Sequence, residues 1–301
     1  MTHTFPTRAR LARAGLATVL CLAAAAVPAQ AESLHLALNL GGDYSGVSET
    51  GFTLADVGSP GLLDTLPEGL SAVLWLGNGF NSTCEWRLDD AEIEQAVTAV
   101  RDHPKFSGIY YIADEPHPSK CPDAPRAVAE RSALVRSLDP DARTLILVQN
   151  PSKAPDEFQL LEGSADLIGV LPYPCNEKNA EAGCDLGALR GRIEAAIEAG
   201  IGPERIVPVF QTFGQDCIES GEPYYRLPSI AEAKRMLAIW DELVPRESRA
   251  LDIAYTWGAR SKNACPSLKM ADGGDYPDLR ALYADYFAGR VELGLVSASD
   301  D

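Results

Sequence analysis

The chain of 301 residues is poor in histidine, poor in positive charge and lacks long apolar runs. It has four histidines, and 26 Lys and Arg against 43 Asp and Glu, for a formal net charge of −17. No CxxC pair occurs, and beyond residue 31 only His35, His103 and His117 remain. That donor set argues against a metal centre, so no metal or cofactor is expected. The acidity argues against nucleic acid and anionic membrane as partners, because both would be repelled, and it favours a neutral or cationic substrate. The apolar run Ala14–Val27 has 14 residues, short of the roughly 20 that span a bilayer. Gly41-Gly42-Asp43 after the first apolar segment lacks the GxGxxG spacing, which removes the main signal for a dinucleotide fold. Repeats, linkers and low-complexity tracts are absent too.

What is present begins with a leader. Arg8, Arg10 and Arg13 precede the apolar run, and Ala29-Gln30-Ala31 offers a small-x-small cleavage site. Residues 1–31 therefore read as a secretory signal peptide, and the product as secreted, extracellular or periplasmic. Six cysteines follow: Cys84, Cys121, Cys175, Cys184, Cys217 and Cys265. An even number in an exported chain predicts disulfides.

The body of the chain alternates strand and helix signals. Apolar or β-branched runs fall at 34–40, 51–57 (weak), 72–76, 106–115, 144–148, 167–171, 206–210 and 251–256. Helical segments are expected at 61–66, 89–101, 123–138, 155–161, 186–199, 229–243 and 278–287. Such alternation predicts a parallel sheet covered by helices. Eight strands point to a single-domain TIM-type (β/α)8 barrel over 32–290, with a frayed tail at 291–301. An open doubly wound sheet is the alternative. With these strands, Cys84 and Cys121 follow neighbouring strands, Cys175 and Cys184 share a loop, and Cys217 and Cys265 follow the last two strands. Those are the three pairs expected, on the loops of one rim.

That rim also collects the chemistry. In a barrel, the C-terminal strand tips carry the active site. The fourth strand ends Tyr110-Tyr111-Ile112-Ala113-Asp114-Glu115-Pro116, a run that stops in two carboxylates and a proline. Asp114 and Glu115 are the expected reactive pair. The other tips hold Asp43 and Tyr44, Trp75 and Asn78, Gln149 and Asn150, Tyr173, Gln211 and Trp257. Acceptors mixed with flat rings suit a sugar, which offers hydroxyls at its edge and C–H bonds on its face. No Lys or Arg stands at a tip to hold phosphate. The expected partner is a carbohydrate, bound by a monomer.

Tyr111-Ile112-Ala113-Asp114-Glu115-Pro116-His117 resembles the Asn-Glu-Pro signature ending the fourth strand of the large clan of barrel glycoside hydrolases, with Asp114 in the Asn place. Tyr255-Thr256-Trp257 resembles that clan's tryptophan at the eighth tip. The resemblance implies a glycoside hydrolase with Glu115 as general acid/base and Asp114 assisting at a sugar hydroxyl. Asp43, Tyr44, Trp75, Gln149, Asn150, Tyr173, Gln211 and Trp257 would line subsites. The clan's nucleophilic glutamate ends strand seven, where this chain has Gln211. A non-catalytic sugar-binding barrel is therefore the alternative. Glycoside hydrolysis normally uses two carboxyl groups. The second is open between Asp114, Asp43, Asp216, Glu219 and Glu222.

Overall fold

In a computed structural model, residues 1–2, 34–149 and 156–293 are described. The expected leader, Asn150 and the end of the tail lie outside these residues, apart from Met1 and Thr2. The fold is built in the unit Glu32–Asp301. Its strands are β1 (Leu34–Ala37), β2 (Leu54–Val57), β3 (Ser71–Trp75), β4 (Phe106–Asp114), β5 (Arg143–Val148), β6 (Leu167–Val170), β7 (Ile206–Gln211) and β8 (Leu251–Tyr255). They pair in sequence order, all parallel, and β8 closes onto β1 through Leu34–Leu251 to Ala37–Ala254. The expected TIM-type barrel is the fold.

The α-helices are α1 (Asp90–Val100), α2 (Ala124–Leu138), α3 (Asp156–Leu161), α4 (Leu186–Glu198), α5 (Ile230–Leu243) and α6 (Leu279–Phe287). Local chemistry sets several starts. Asp89 and Ser229 each accept the N–H three residues on, while Glu92 and Glu232 reach back, making reciprocal capping boxes for α1 and α5. The expected helix at 61–66 is a 3-10 helix, Pro60–Thr65, and another short 3-10 turn, Ser48–Thr50, joins β1 to β2. Gly61 is a weak helix former, and Pro67 just beyond the turn blocks its extension.

Side-chain alternation divides the apolar interior into two shells. Inward residues fill the barrel, among them Leu36, Leu54, Val73, Ile109, Leu145, Leu167, Val209 and Ile253. Outward residues such as Ala72, Leu74, Ile112, Ile146 and Ile168 meet the helices through Ile93, Val128, Phe158, Ile193 and Trp240. Gly169 is needed inside the barrel: a Cβ there would lie 2.1 Å from Cδ2 of Leu147.

The loops at the two ends differ. The connections from helices back to strands are brief, for example 139–142 between α2 and β5. Those after strands are long, such as 212–229 and 256–278. Disulfides Cys84–Cys121, Cys175–Cys184 and Cys217–Cys265 fasten the long ones, in the three expected pairs. Cross-links of this kind stabilise chiefly by restricting the unfolded chain.

Candidate active site

The long loops surround a cavity of about 750 Å3 at the C-terminal mouth of the barrel. Its acidic wall comes from the tip of β4. Asp114 ends the strand, and Glu115 turns out of it with φ of 50°. This left-handed backbone is uncommon for a residue with a side chain and costs on the order of 1 kcal/mol. It is held in place from several sides. The Glu115 N–H donates to the Leu147 carbonyl at 2.9 Å, and the Asp114 N–H to Asn78 Oδ1 at 3.3 Å. The His117 N–H donates to the Phe80 carbonyl at 2.8 Å. The strained residue is thus the one that lifts a carboxylate into the cavity.

The two acids have different surroundings. Asp114 Oδ1 accepts the Tyr111 hydroxyl at 2.6 Å. Burial pushes its carboxyl above the usual range, and the tyrosine bond opposes this. Glu115 is pushed from 4.5 to about 7, first by burial and then by the adjacent Asp114 charge, with Lys120 pulling the other way. A carboxyl poised near neutrality can hold a proton and give it up, which is what a general acid must do.

Rings form the rest of the wall. Trp75 meets Tyr111 at 4.3 Å between centroids. Tyr173 stacks with Tyr255 at 5.8 Å and meets Phe213 and Tyr225 edge-on at 5.1 and 5.7 Å. Gln215 fixes Tyr225 by accepting the N–H groups of Tyr224 and Tyr225. Burial raises the hydroxyls of Tyr173, Tyr225 and Tyr255 above their ordinary pKa, with charge on Glu115 adding to it. They stay protonated and able to donate.

The structure brings Asp114, Glu115, Trp75, Asn78, Gln149 and Tyr173 together in this lining. Other expected residues lie elsewhere. Asp43 and Tyr44 line a neighbouring hollow of about 580 Å3, which shares Asn39, Asp56, Trp75 and Arg260 with the first. Asp43 is exposed and ion-paired with Lys269; that bond, with a second from Ser45, holds its carboxyl well below the usual range. The Tyr44 hydroxyl lies 3.4 Å from Thr65 Oγ1.

Two expectations are corrected. Gln211 does not reach the cavity: Oε1 accepts the Cys175 N–H at 2.9 Å, and Nε2 donates to the Cys175 and Arg226 carbonyls at 2.8 and 3.1 Å. It sews the β6 loop to the β7 loop. Trp257 is fully buried under the second hollow, edge-on to Phe52 at 5.6 Å. β8 ends at Tyr255, and that ring faces the cavity. The remaining candidates for a second carboxyl, Asp216, Glu219 and Glu222, are exposed and outside the lining.

Sequence reasoning missed Asp56, Phe213, Tyr225, Tyr255 and Arg260. Asp56 carried a signal, since period-2 alternation puts it on the same inward face as Leu54. The basic residues Arg87, Arg260 and Lys262 line the mouth from loops beyond the strand tips. Charge at the mouth therefore differs from that of the chain as a whole.

With this geometry in view, comparisons with known proteins place the fold. A β-glucuronidase from Ruminococcus gnavus in complex with D-glucaro-d-lactam superposes with a TM-score of 0.55 at 12% identity, covering 85% of this chain and 49% of that one. Bacteroides uniformis β-glucuronidase 2, covalently bound to cyclophellitol-6-carboxylate aziridine, gives 0.55 at 11% identity over 87% of this chain and 36% of that one. The barrel is that of solved glycoside hydrolases. This chain spans less than half the length of either. No family model and no curated protein matches it.

Proposed function

We propose that this protein is an exported glycoside hydrolase in which Glu115 is the general acid and Asp114 assists. The observation that carries the reading is one carboxyl, held near pKa 7 on a strained strand tip, facing a sugar-sized cavity walled with rings. Trp75, Tyr173 and Tyr255 offer faces to the C–H side of a sugar, while Asn78 and Gln149 offer hydrogen bonds to hydroxyls. Glu115 gives its proton to the glycosidic oxygen as the C–O bond breaks, so the leaving group departs as a neutral alcohol. Asp114 remains fixed by Tyr111 and favours a positively charged sugar in the transition state. The shared fold of named glycosidases supports the class of bond, and three disulfides together with the leader-like N-terminus support export. No helix among the described residues is long and apolar enough to cross a membrane.

The test is a panel of oligosaccharides and alkyl glycosides with wild type and Glu115→Gln. Turnover should fall by about 10^3-fold or more in the variant, without a lower melting temperature. Undiminished turnover would remove Glu115 from the mechanism. The second reading, a sugar-binding barrel without turnover, is favoured by Gln211 where the resembling clan has its nucleophile. Binding to immobilised glycans with no product from wild type would support it.

A further inference from the structure

We propose that Asp56 is the base that activates water in this site, and that hydrolysis inverts the anomeric configuration. The proposal rests on the glycosidase reading above. It starts from a count of acids: the cavity lining contains three carboxylates, Asp56, Asp114 and Glu115. Asp114 follows the Tyr111 hydroxyl at 2.6 Å and sits next to Glu115 in the chain, on the same strand tip. Asp56 comes from another wall. It lies on β2, one inward position above Leu54, and borders both hollows.

Its surroundings are unusual for a structural acid. Asp56 Oδ1 accepts the Leu40 N–H in a long bond of 3.4 Å. It makes no ion pair among the described residues. Burial pushes its carboxyl above the usual range, with backbone N–H groups of Asn39 and Leu40 and the Arg260 charge only partly offsetting this. A carboxyl set in a barrel wall without a salt bridge is costly, and such groups cluster where chemistry is done.

Position decides its role. Adjacent parallel strands lie about 4.8 Å apart, so β2 and β4, separated only by β3, stand on the order of 10 Å apart along the wall. Side chains on a closed wall converge inward, which brings the carboxyls closer than the strands. β3 supplies Trp75 to the lining between them. A covalent, retaining mechanism needs carboxyls roughly 5–5.5 Å apart, while roughly 6.5–9.5 Å leaves room for a water. The spacing of two strands suits the second. In that step Asp56 takes a proton from water as its oxygen bonds to the anomeric carbon. The C–O bond to the leaving group breaks on the opposite face, and Glu115 protonates the departing oxygen. The cycle ends with Asp56 protonated and Glu115 ionised, and solvent exchange restores both.

The experiment uses the full-length protein and a panel of α- and β-glycosyl fluorides. Fluoride leaves with little help from an acid, so Glu115→Gln should still turn over the fluoride that wild type accepts. Asp56→Asn should lose about 10^3-fold in kcat with KM changed by less than about threefold. Azide is already an anion and needs no base. It should restore turnover to Asp56→Ala and give the glycosyl azide of inverted configuration. Proton NMR of the wild-type reaction should show the opposite anomer forming first. A first product of retained configuration, or Asp56→Asn keeping more than about a tenth of kcat, overturns the proposal and leaves the role of Glu115 standing. If wild type hydrolyses no fluoride, no alkyl glycoside and no oligosaccharide, both fall together.

Discussion

The two ends of this barrel treat charge in opposite ways. At the N-terminal end, buried ionic groups are matched. His35 Nδ1 and Asp252 Oδ1 meet at 2.9 Å between β1 and β8. Arg249, just before β8, donates to the Val244 carbonyl, the Tyr286 hydroxyl and Asp241, all within 2.8 Å. Asp166, before β6, accepts from Thr144 and Arg136. At the C-terminal end, Asp56, Asp114 and Glu115 take no cation in an ion pair among the described residues, and burial raises all three. Both ends are made of the same eight strands. The difference shows that the carboxylates at the mouth are not there to hold the barrel together. A fold can carry a few unmatched groups at one end when pairs such as His35–Asp252 and Arg249–Asp241 hold the other.

Breaking the matched end should act on stability alone. Arg249→Leu removes the three hydrogen bonds of a buried guanidinium and takes the cation from Asp241, which keeps the Tyr286 hydroxyl at 2.6 Å. The expected loss is about 3 kcal/mol, read as a melting temperature lower by about 6–12 °C, with kcat per folded molecule unchanged below the transition. A fall in kcat without a fall in melting temperature would erase the distinction between the ends. A second variant sharpens it at the mouth itself. Gln211→Glu restores the residue type of the resembling clan at the tip of β7. Here it would press a carboxylate against the Cys175 and Arg226 carbonyls, which now accept from Nε2. The expectation is a loss of about 2–3 kcal/mol and no gain in turnover. A more active enzyme at unchanged stability would show that Gln211 belongs to the catalytic wall after all.

The sequence carried the barrel because its signals are periodic. Strand and helix patterns alternate through 34–287, and even the weak second strand is real, with Leu54, Ala55 and Val57 buried. The disulfide pairs followed from strand order for the same reason. Site residues were legible where they sit on a strand in the inward phase, as with Trp75, two residues after Val73; Asp114 shares the phase of the outward Tyr110 and Ile112, and a register shift between Tyr111 and Ala113 turns it toward the cavity. Asp56 had the inward phase too, but a four-residue strand, Leu-Ala-Asp-Val, gave it little weight. Gln211 also follows the inward phase of Val207 and Val209, yet the backbone of the Cys175 loop captures its amide. Trp257 lies past the end of β8, where phase no longer predicts direction. Tyr225, Arg260 and Lys262 belong to loops whose path depends on Cys217–Cys265 and on backbone bonds such as Cys265 N–H to Gly214 O. No periodicity encodes that path, and so the charge of the mouth could not be read from composition.

The smallest effect tests the comparison through protons. Glu115 is raised from 4.5 to about 7 in the folded chain, so between those values the native state binds more protons than the unfolded one. Stability contributed by this group is therefore complete below about pH 4.5 and is lost as pH rises through 7. A shift of this size corresponds to about 3 kcal/mol, and partial exposure to solvent reduces it to about 2. Glu115→Gln cannot ionise and escapes the loss. In urea titrations the variant should match wild type at pH 4 and exceed it by about 2 kcal/mol at pH 8. Asp56 titrates in both proteins, so the difference between the two curves reports Glu115 together with its coupling to Asp114. Parallel curves across that window would mean that the carboxyl is already solvated, and the mouth of the barrel would then be no more strained than its base.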